Sequence, residues 1–215
     1  MRVTVLGSTG GVGRHLVRLA LEAGHEVTAV ARPGRAVAAR EGLRVVRGEV
    51  MCEGFLDEVL GDSEAVLSSL GMRRTQPLNP WSAITSPKDL TSVTAGYIVS
   101  AMKANGVRRV VTVSSAGVAE SGDQMNRVMK FMVANSNVGV AYLDLARMES
   151  IFAESGLDWC CVRPVRLTNG ALTREVRVVP CFGAMDKIAR ADVAGWMVDA
   201  LARPFEHRTP QLAGP

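Results

Sequence analysis

A doubly wound α/β fold, with a parallel sheet flanked by helices on both faces, is what this 215-residue sequence predicts. Two observations predict it. The chain opens on a short apolar run, Val3 to Leu6, that breaks into Gly7-Ser8-Thr9-Gly10-Gly11-Val12-Gly13 and restarts with helical periodicity. Short apolar runs then alternate with amphipathic stretches nearly to the end, as they do when parallel strands are joined by helical crossovers.

The elements follow in order. A first strand over Arg2 to Leu6 leads into a helix over Gly11 to Ala23, whose apolar residues are Val12, Leu16, Val17, Leu19, Ala20 and Leu21. Gly24 stops that helix, and a second strand, Glu26 to Ala31, completes a βαβ unit. Further strands are expected at Leu43 to Arg47, Ala65 to Ser68, Arg109 to Ser114 and Asp158 to Val162. Helices are expected at Gly54 to Leu60, Asp89 to Asn105, Leu143 to Glu154 and Ala191 to Leu201. The stretch Gly71 to Pro87, with its prolines at 77, 80 and 87, reads as a long loop after the fourth strand, and Gly117 to Gln124 as a second irregular one.

The glycine stretch sits where a strand gives way to a helix N-terminus. Backbone N–H groups are unpaired there and the helix dipole favours anions, so a dinucleotide pyrophosphate fits. In such a turn one glycine makes the bend, another lets the ligand approach the backbone, and another lets the helix pack on the strand. This marks an NAD(P)-binding Rossmann fold. After the second strand stand Arg32 and Arg35, where an acidic residue would hold the ribose 2′-hydroxyl of NAD. Arginine instead accommodates the 2′-phosphate, so NADP(H) is expected over NAD(H). The competing reading is two solvated arginines beside Pro33 and Gly34.

Composition frames these readings. One NAD(P)-binding domain over residues 1–215 is expected, with a small substrate-side portion built from loops 71–87, 117–124 and 164–190. Hydrophobic residues make up 47% and charged residues 21%, and no apolar run approaches a membrane span, so no membrane partner is expected. The net charge of +4 is scattered in pairs such as Arg73-Arg74 and Arg108-Arg109, without the basic tract that nucleic-acid binding would want. Cys52, Cys160, Cys161 and Cys181 lack CxxC spacing and read as buried thiols, with no metal site. The N-terminus does not resemble a signal peptide, so a cytoplasmic monomer or homodimer acting on a small-molecule acceptor is expected.

In sequence order, Gly7 to Gly13, Ala31-Arg32, Val46-Arg47-Gly48-Glu49-Val50, Ser69-Leu70-Gly71, Val111 to Ala116, Glu154 to Trp159 and Val162-Arg163-Pro164 resemble the atypical short-chain dehydrogenase/reductase group. That group includes the flavin reductase (biliverdin reductase B) type and the NmrA-like proteins. The resemblance implies that Gly48-Glu49-Val50 borders the adenine, with glutamate replacing the usual aspartate. It also implies that Leu70 and Gly71 pass beneath the nicotinamide ribose, and that Pro164 and Val165 line the nicotinamide pocket. Ser114 and Ser115 fall where the group places a hydroxyl near nicotinamide and substrate. Read on its own, Ser115 either meets a substrate carbonyl or caps the following turn.

The sequence also departs from the group. The Tyr-x-x-x-Lys pair of classical members is absent: Tyr142 is followed four residues later by Ala146, and the positions where relatives carry a base hold Leu145 and Glu149. Neither Arg147 nor any of the three histidines, His15, His25 and His207, supplies an evident proton donor. Two functions fit. One is an NADPH-dependent reductase passing hydride to a flavin or quinone, with Ser115 positioning the acceptor and Tyr142 donating a hydrogen bond. The other is an NmrA-like NADP(H) sensor that works through a protein partner.

Overall fold

The first apolar run forms β1 (Arg2–Leu6), and the helix α1 (Gly13–Glu22) returns the chain to β2 (Glu26–Ala31), which lies parallel to β1 with Val3 opposite Val27. The computed structural model describes residues 1–215 throughout. β3 (Leu43–Arg47) extends that flank, and α2 (Phe55–Val59) then carries the chain across to β4 (Ala65–Ser68), on the other side of β1. Next come α3 (Leu90–Ala104), β5 (Arg109–Val113), α4 (Arg127–Ala134), α5 (Asn137–Glu154) and β6 (Asp158–Pro164). The chain finishes with β7 (Arg166–Thr168), β8 (Arg177–Val178), β9 (Lys187–Ala189), α6 (Arg190–Asp199) and β10 (Gln211–Ala213).

The main sheet runs β3-β2-β1-β4-β5-β6-β10-β8, while β7 and β9 pair separately. Strand order reverses between β1 and β4, the crevice where such sheets take ligands. Successive residues point to opposite faces, and the core splits accordingly. Val5, Leu67, Val111 and Cys160 pack on Leu16 and Leu19 of α1 and on Val193 and Met197 of α6. Their chain neighbours Leu6, Val66, Val110 and Cys161 pack on Ile98 and Met102 of α3 and Phe152 of α5. Each such fully buried side chain contributes about 1.5–3 kcal/mol.

Several details differ from the sequence-based expectation. The sheet gains an antiparallel edge, because β8 pairs with β10 in the opposite sense. The stretch 164–190, read as loop, holds β7, β8 and β9, which are too short to show a period. Residues 119–124 form a 3₁₀ turn within the second irregular stretch. α5 begins at Asn137 instead of Leu143, behind a Ser136 side chain that accepts from Val138 N. α4 has no counterpart among the expected helices; Asn126 caps it by accepting from Met129 N at 2.9 Å. Of the four cysteines, Cys160 and Cys161 are buried but Cys52 and Cys181 are exposed, because they lie outside the strands. No helix is long and apolar enough to cross a membrane.

At the edge of the sheet opposite the glycine turn, Asp158 joins three segments. It accepts from Arg109 Nε at 2.8 Å and Arg208 Nη1 at 2.6 Å, while Arg109 Nη1 also donates to Leu201 O and Arg203 O. Burial pushes the Asp158 carboxyl up, but the hydrogen bonds from Arg208 and Arg109 outweigh it and hold its pKa below the ordinary 3.8. A carboxylate whose folded pKa is depressed stabilises the fold above its unfolded value and loses that contribution as pH falls through the folded one. Asp158→Asn is therefore expected to cost about 1 kcal/mol at neutral pH, the half-exposed site being screened by solvent. It should also flatten the loss of stability on acidification below pH 3.8. Denaturant melts across pH read both effects.

Candidate functional site

The turn after β1 is built around backbone approach. Gly7 adopts φ +74°, and a side chain there would stand 3.0 Å from the Ser69 backbone just beyond β4. A methyl on Gly13 would run into the Gly7 carbonyl, so α1 seats against the turn only because position 13 has no side chain. Gly10 N donates to Gly7 O at 2.9 Å and closes the bend. The amides of Ser8, Thr9, Gly11 and Val12 find no acceptor in the protein. Four free donors at a helix N-terminus make a cradle that fits a pyrophosphate. The Ser8 hydroxyl is buried and donates to Val30 O at 2.6 Å, so its side chain braces the turn against β2 and its amide remains free.

Beyond β2, Arg32 is half-buried and Arg35 exposed. The structure adds a neighbour that the sequence showed only as half of a basic pair. Burial, and then the charges of Arg32 and Arg35, push Arg73 below the ordinary arginine pKa, with Glu49 partly offsetting them. Arg73 is fixed in the 71–87 loop by Arg73 N donating to Ser86 Oγ at 2.9 Å and Thr85 N donating to Arg73 O at 2.8 Å. Guanidinium groups that repel one another beside a single carboxylate leave an excess of positive charge that an anion would offset. Gly48 donates to Ala31 O and leaves no room for a Cβ against the Phe55 ring, which fixes Glu49 exposed and Val50 buried at the end of β3. Leu70 is half-buried and Gly71 exposed, directly past Ser69.

At the end of β5, Ser114 N donates to Val162 O at 2.7 Å and Ala116 N donates to Pro164 O at 3.0 Å, locking this strand end to β6. Pro164 and Val165 are buried there. The Ser114 hydroxyl is buried with no partner, an orphan that a bound amide or hydroxyl would satisfy. Ser115 Oγ and the Tyr142 hydroxyl lie 3.2 Å apart, and the Tyr142 hydroxyl donates to Ala116 O at 3.0 Å. The pair thus meets across 27 residues of sequence, helped by Gly117 at φ +89°, where a side chain would press on the Tyr142 ring.

Glu149, at a position where relatives of the resembled group carry a base, is engaged elsewhere. It is buried and accepts from Arg163 Nε at 3.0 Å. Arg163 also donates to the exposed Glu120 of the 119–124 turn, where Ala119 holds φ +50°. Burial works against the Arg163 charge, but its bonds to Glu149 and Glu120 raise its pKa overall. None of the three histidines enters the site: His15 belongs to α1, His25 precedes β2 and His207 is exposed near the C-terminus.

The 71–87 loop is ordered by contact with the helices it faces. Trp81 Nε1 donates to Asn135 O at 2.8 Å, and Asn137 Nδ2 donates to Ser82 O at 3.0 Å. Leu78, Trp81, Val128 and Phe131 remain exposed along this loop and α4.

A family model described as NAD(P)H-binding matches residues 7–204 of the chain. Among solved structures, ChuY, an anaerobillin reductase from Escherichia coli O157:H7, matches with a TM-score of 0.81 at 22% identity over 100% of this chain and 98% of that one. A short-chain dehydrogenase/reductase from Veillonella parvula DSM 2008, solved in complex with NADP, matches at 0.78 and 19% identity, covering 100% and 94%. The oxidoreductase ylbE from Lactococcus lactis matches at 0.79 and 16%, covering 100% and 91%.

The tight seat of α1 predicts that Gly13→Ala destabilises the protein by about 1–3 kcal/mol, the usual cost of overpacking. Nucleotide binding should fall with it, as read by thermal melts with and without NADPH.

Proposed function

This chain belongs to the NAD(P)H-binding family, and we propose that it is an NADPH-dependent oxidoreductase of the atypical short-chain dehydrogenase/reductase type that passes hydride to a small acceptor such as a flavin or quinone. The observation that carries this reading is the hydroxyl pair Ser115–Tyr142, 3.2 Å apart at the end of β5. It stands at the same sheet edge as the glycine turn, beside the buried Pro164.

Bound there, the dinucleotide supplies the hydride. The chain's own residues bind and orient. The turn amides hold the pyrophosphate, and Arg32, Arg35 and Arg73 suit a 2′-phosphate, which supports NADP(H) over NAD(H). The Ser114 hydroxyl is free to bond the nicotinamide amide. Ser115 and Tyr142 offer hydroxyls to an acceptor oxygen, each turning from its present contact with Ala116 O. With Glu149 bound to Arg163, no base on α5 takes the place of the missing lysine, so the proton comes from water and an acceptor that needs little proton assistance is favoured. The exposed apolar side chains of the 71–87 loop and α4 suit a planar, largely apolar acceptor.

NADPH oxidation with FMN, simple quinones and small aldehydes tests the proposal, and likeness to an anaerobillin reductase adds anaerobillin to the acceptors offered. Ser115→Ala is expected to lower kcat by about tenfold or more while leaving the NADPH Kd within a factor of two, since it removes an orienting contact to the acceptor alone. Arg32→Ala should weaken NADPH by about tenfold and NADH hardly at all, the worth of a charge-assisted hydrogen bond. Tight NADPH binding without turnover on any acceptor would replace the reductase with a sensor.

A further inference from the structure

We infer that Arg190 is a side-chain clamp on the dinucleotide pyrophosphate, laid over the glycine turn through a gap that Gly11 keeps open. The inference rests on the reading that this turn holds NAD(P)H, and it concerns a residue from the far end of the chain.

Gly11 is not a glycine for backbone reasons. In the turn only Gly7 lies in the left-handed region, so the conformation at position 11 is open to any residue. Nor does backbone crowd it. A methyl built on Gly11 would stand 2.8 Å from both Cδ and Nε of Arg190, and the Arg190 side chain is all it would meet. The missing side chain therefore accommodates the arginine stem. Arg190 opens α6, which packs beside α1 through Val193, Met197, Leu16 and Leu19, so both helix N-termini reach the same edge of the sheet.

The guanidinium is held in place without being neutralised. Arg190 Nη1 donates to Asn169 Oδ1 at 2.7 Å, a neutral partner, and no carboxylate pairs with it. The chain just beyond Asn169 is tied to α6. The buried Asp192 carboxylate accepts from Thr173 N at 2.7 Å, Thr173 Oγ1 at 3.0 Å and Arg174 N at 2.8 Å, and so draws the segment after β7 over the helix. His15, in the first turn of α1, feels the cation. Burial first, then Arg18, Arg14 and Arg190, lower its pKa. An uncompensated, tethered cation thus overlies a turn with four free amides, and a pyrophosphate is the ligand whose charge answers both.

The pyrophosphate is common to both cofactors, so this clamp acts on NADPH and NADH alike, unlike a contact to the 2′-phosphate. Four proteins test it: wild type, Arg190→Ala, Gly11→Ala and the double variant, each titrated with NADPH and NADH by dihydronicotinamide fluorescence. Each single variant is expected to raise both Kd values by about tenfold, the loss of one charge-assisted contact. The double variant should be no weaker than Arg190→Ala, because Gly11→Ala acts only by displacing that side chain. Unchanged Kd values in Gly11→Ala or Arg190→Ala, losses that add, or a loss confined to NADPH would overturn the clamp. Gly11→Ala keeps the test decisive if Arg190→Ala folds poorly, since it touches no backbone. Failure of the wild type to bind either nucleotide would overturn the cofactor reading, and the clamp with it.

Discussion

The close approach of α1 to the turn after β1 is the constraint on which the rest depends. Gly13 seats against the Gly7 carbonyl, and Gly7 in turn abuts the backbone at Ser69. Helix, first strand and fourth strand thereby meet at one point, and that point is where strand order reverses. The free amides of the turn follow from the same geometry, because a helix that begins so near the strand end leaves its first donors facing the crevice. Binding capacity and packing are thus one feature of the chain. The same contact that orders the sheet exposes the donors.

The proposed site draws on five separate stretches of chain brought to that edge. The β1 turn supplies amides, the ends of β2 and β4 supply arginines, and the end of β5 with α5 supplies hydroxyls. No single stretch would bind a dinucleotide well. The parallel sheet aligns them, since every strand from β3 to β6 ends at the same edge. The apolar core on each face then holds the strand ends rigid relative to one another, which suits a reaction in which the protein mainly orients.

Much of this was legible in the sequence because its signals are local. The six main strands, the βαβ unit and the glycine turn each lie within a short window, where period and turn chemistry are readable. Ser115 and Tyr142 could be named individually, but not paired, since their meeting depends on where α5 starts and on Gly117. The same holds for Arg73, Arg163 with Glu149, and Arg190: each acts across a gap of sequence that only the fold closes. The short strands β7 to β10 escaped notice because two or three residues show no period, and their pairing is set by neighbours. The starts of α4 and α5 are set by the Asn126 and Ser136 side chains that cap them, which the pattern of apolar residues does not show.

The link from Arg163 to Glu120 and Glu149 has a mechanical consequence. Both carboxylates bind one buried guanidinium, but Glu149 is buried with it while Glu120 projects from the exposed 119–124 turn. When Glu120 lets go, Arg163 is still neutralised by Glu149, so no lone charge is stranded in the interior. The bond at Glu120 is therefore the one anchor of this turn whose loss costs the interior little, while the buried Ser121, and Gln124 through its bonds to Pro180 O and Gln211, hold the rest of it. Loss of that one contact would free only the exposed start of the turn, beside the hydroxyl pair, with the sheet undisturbed.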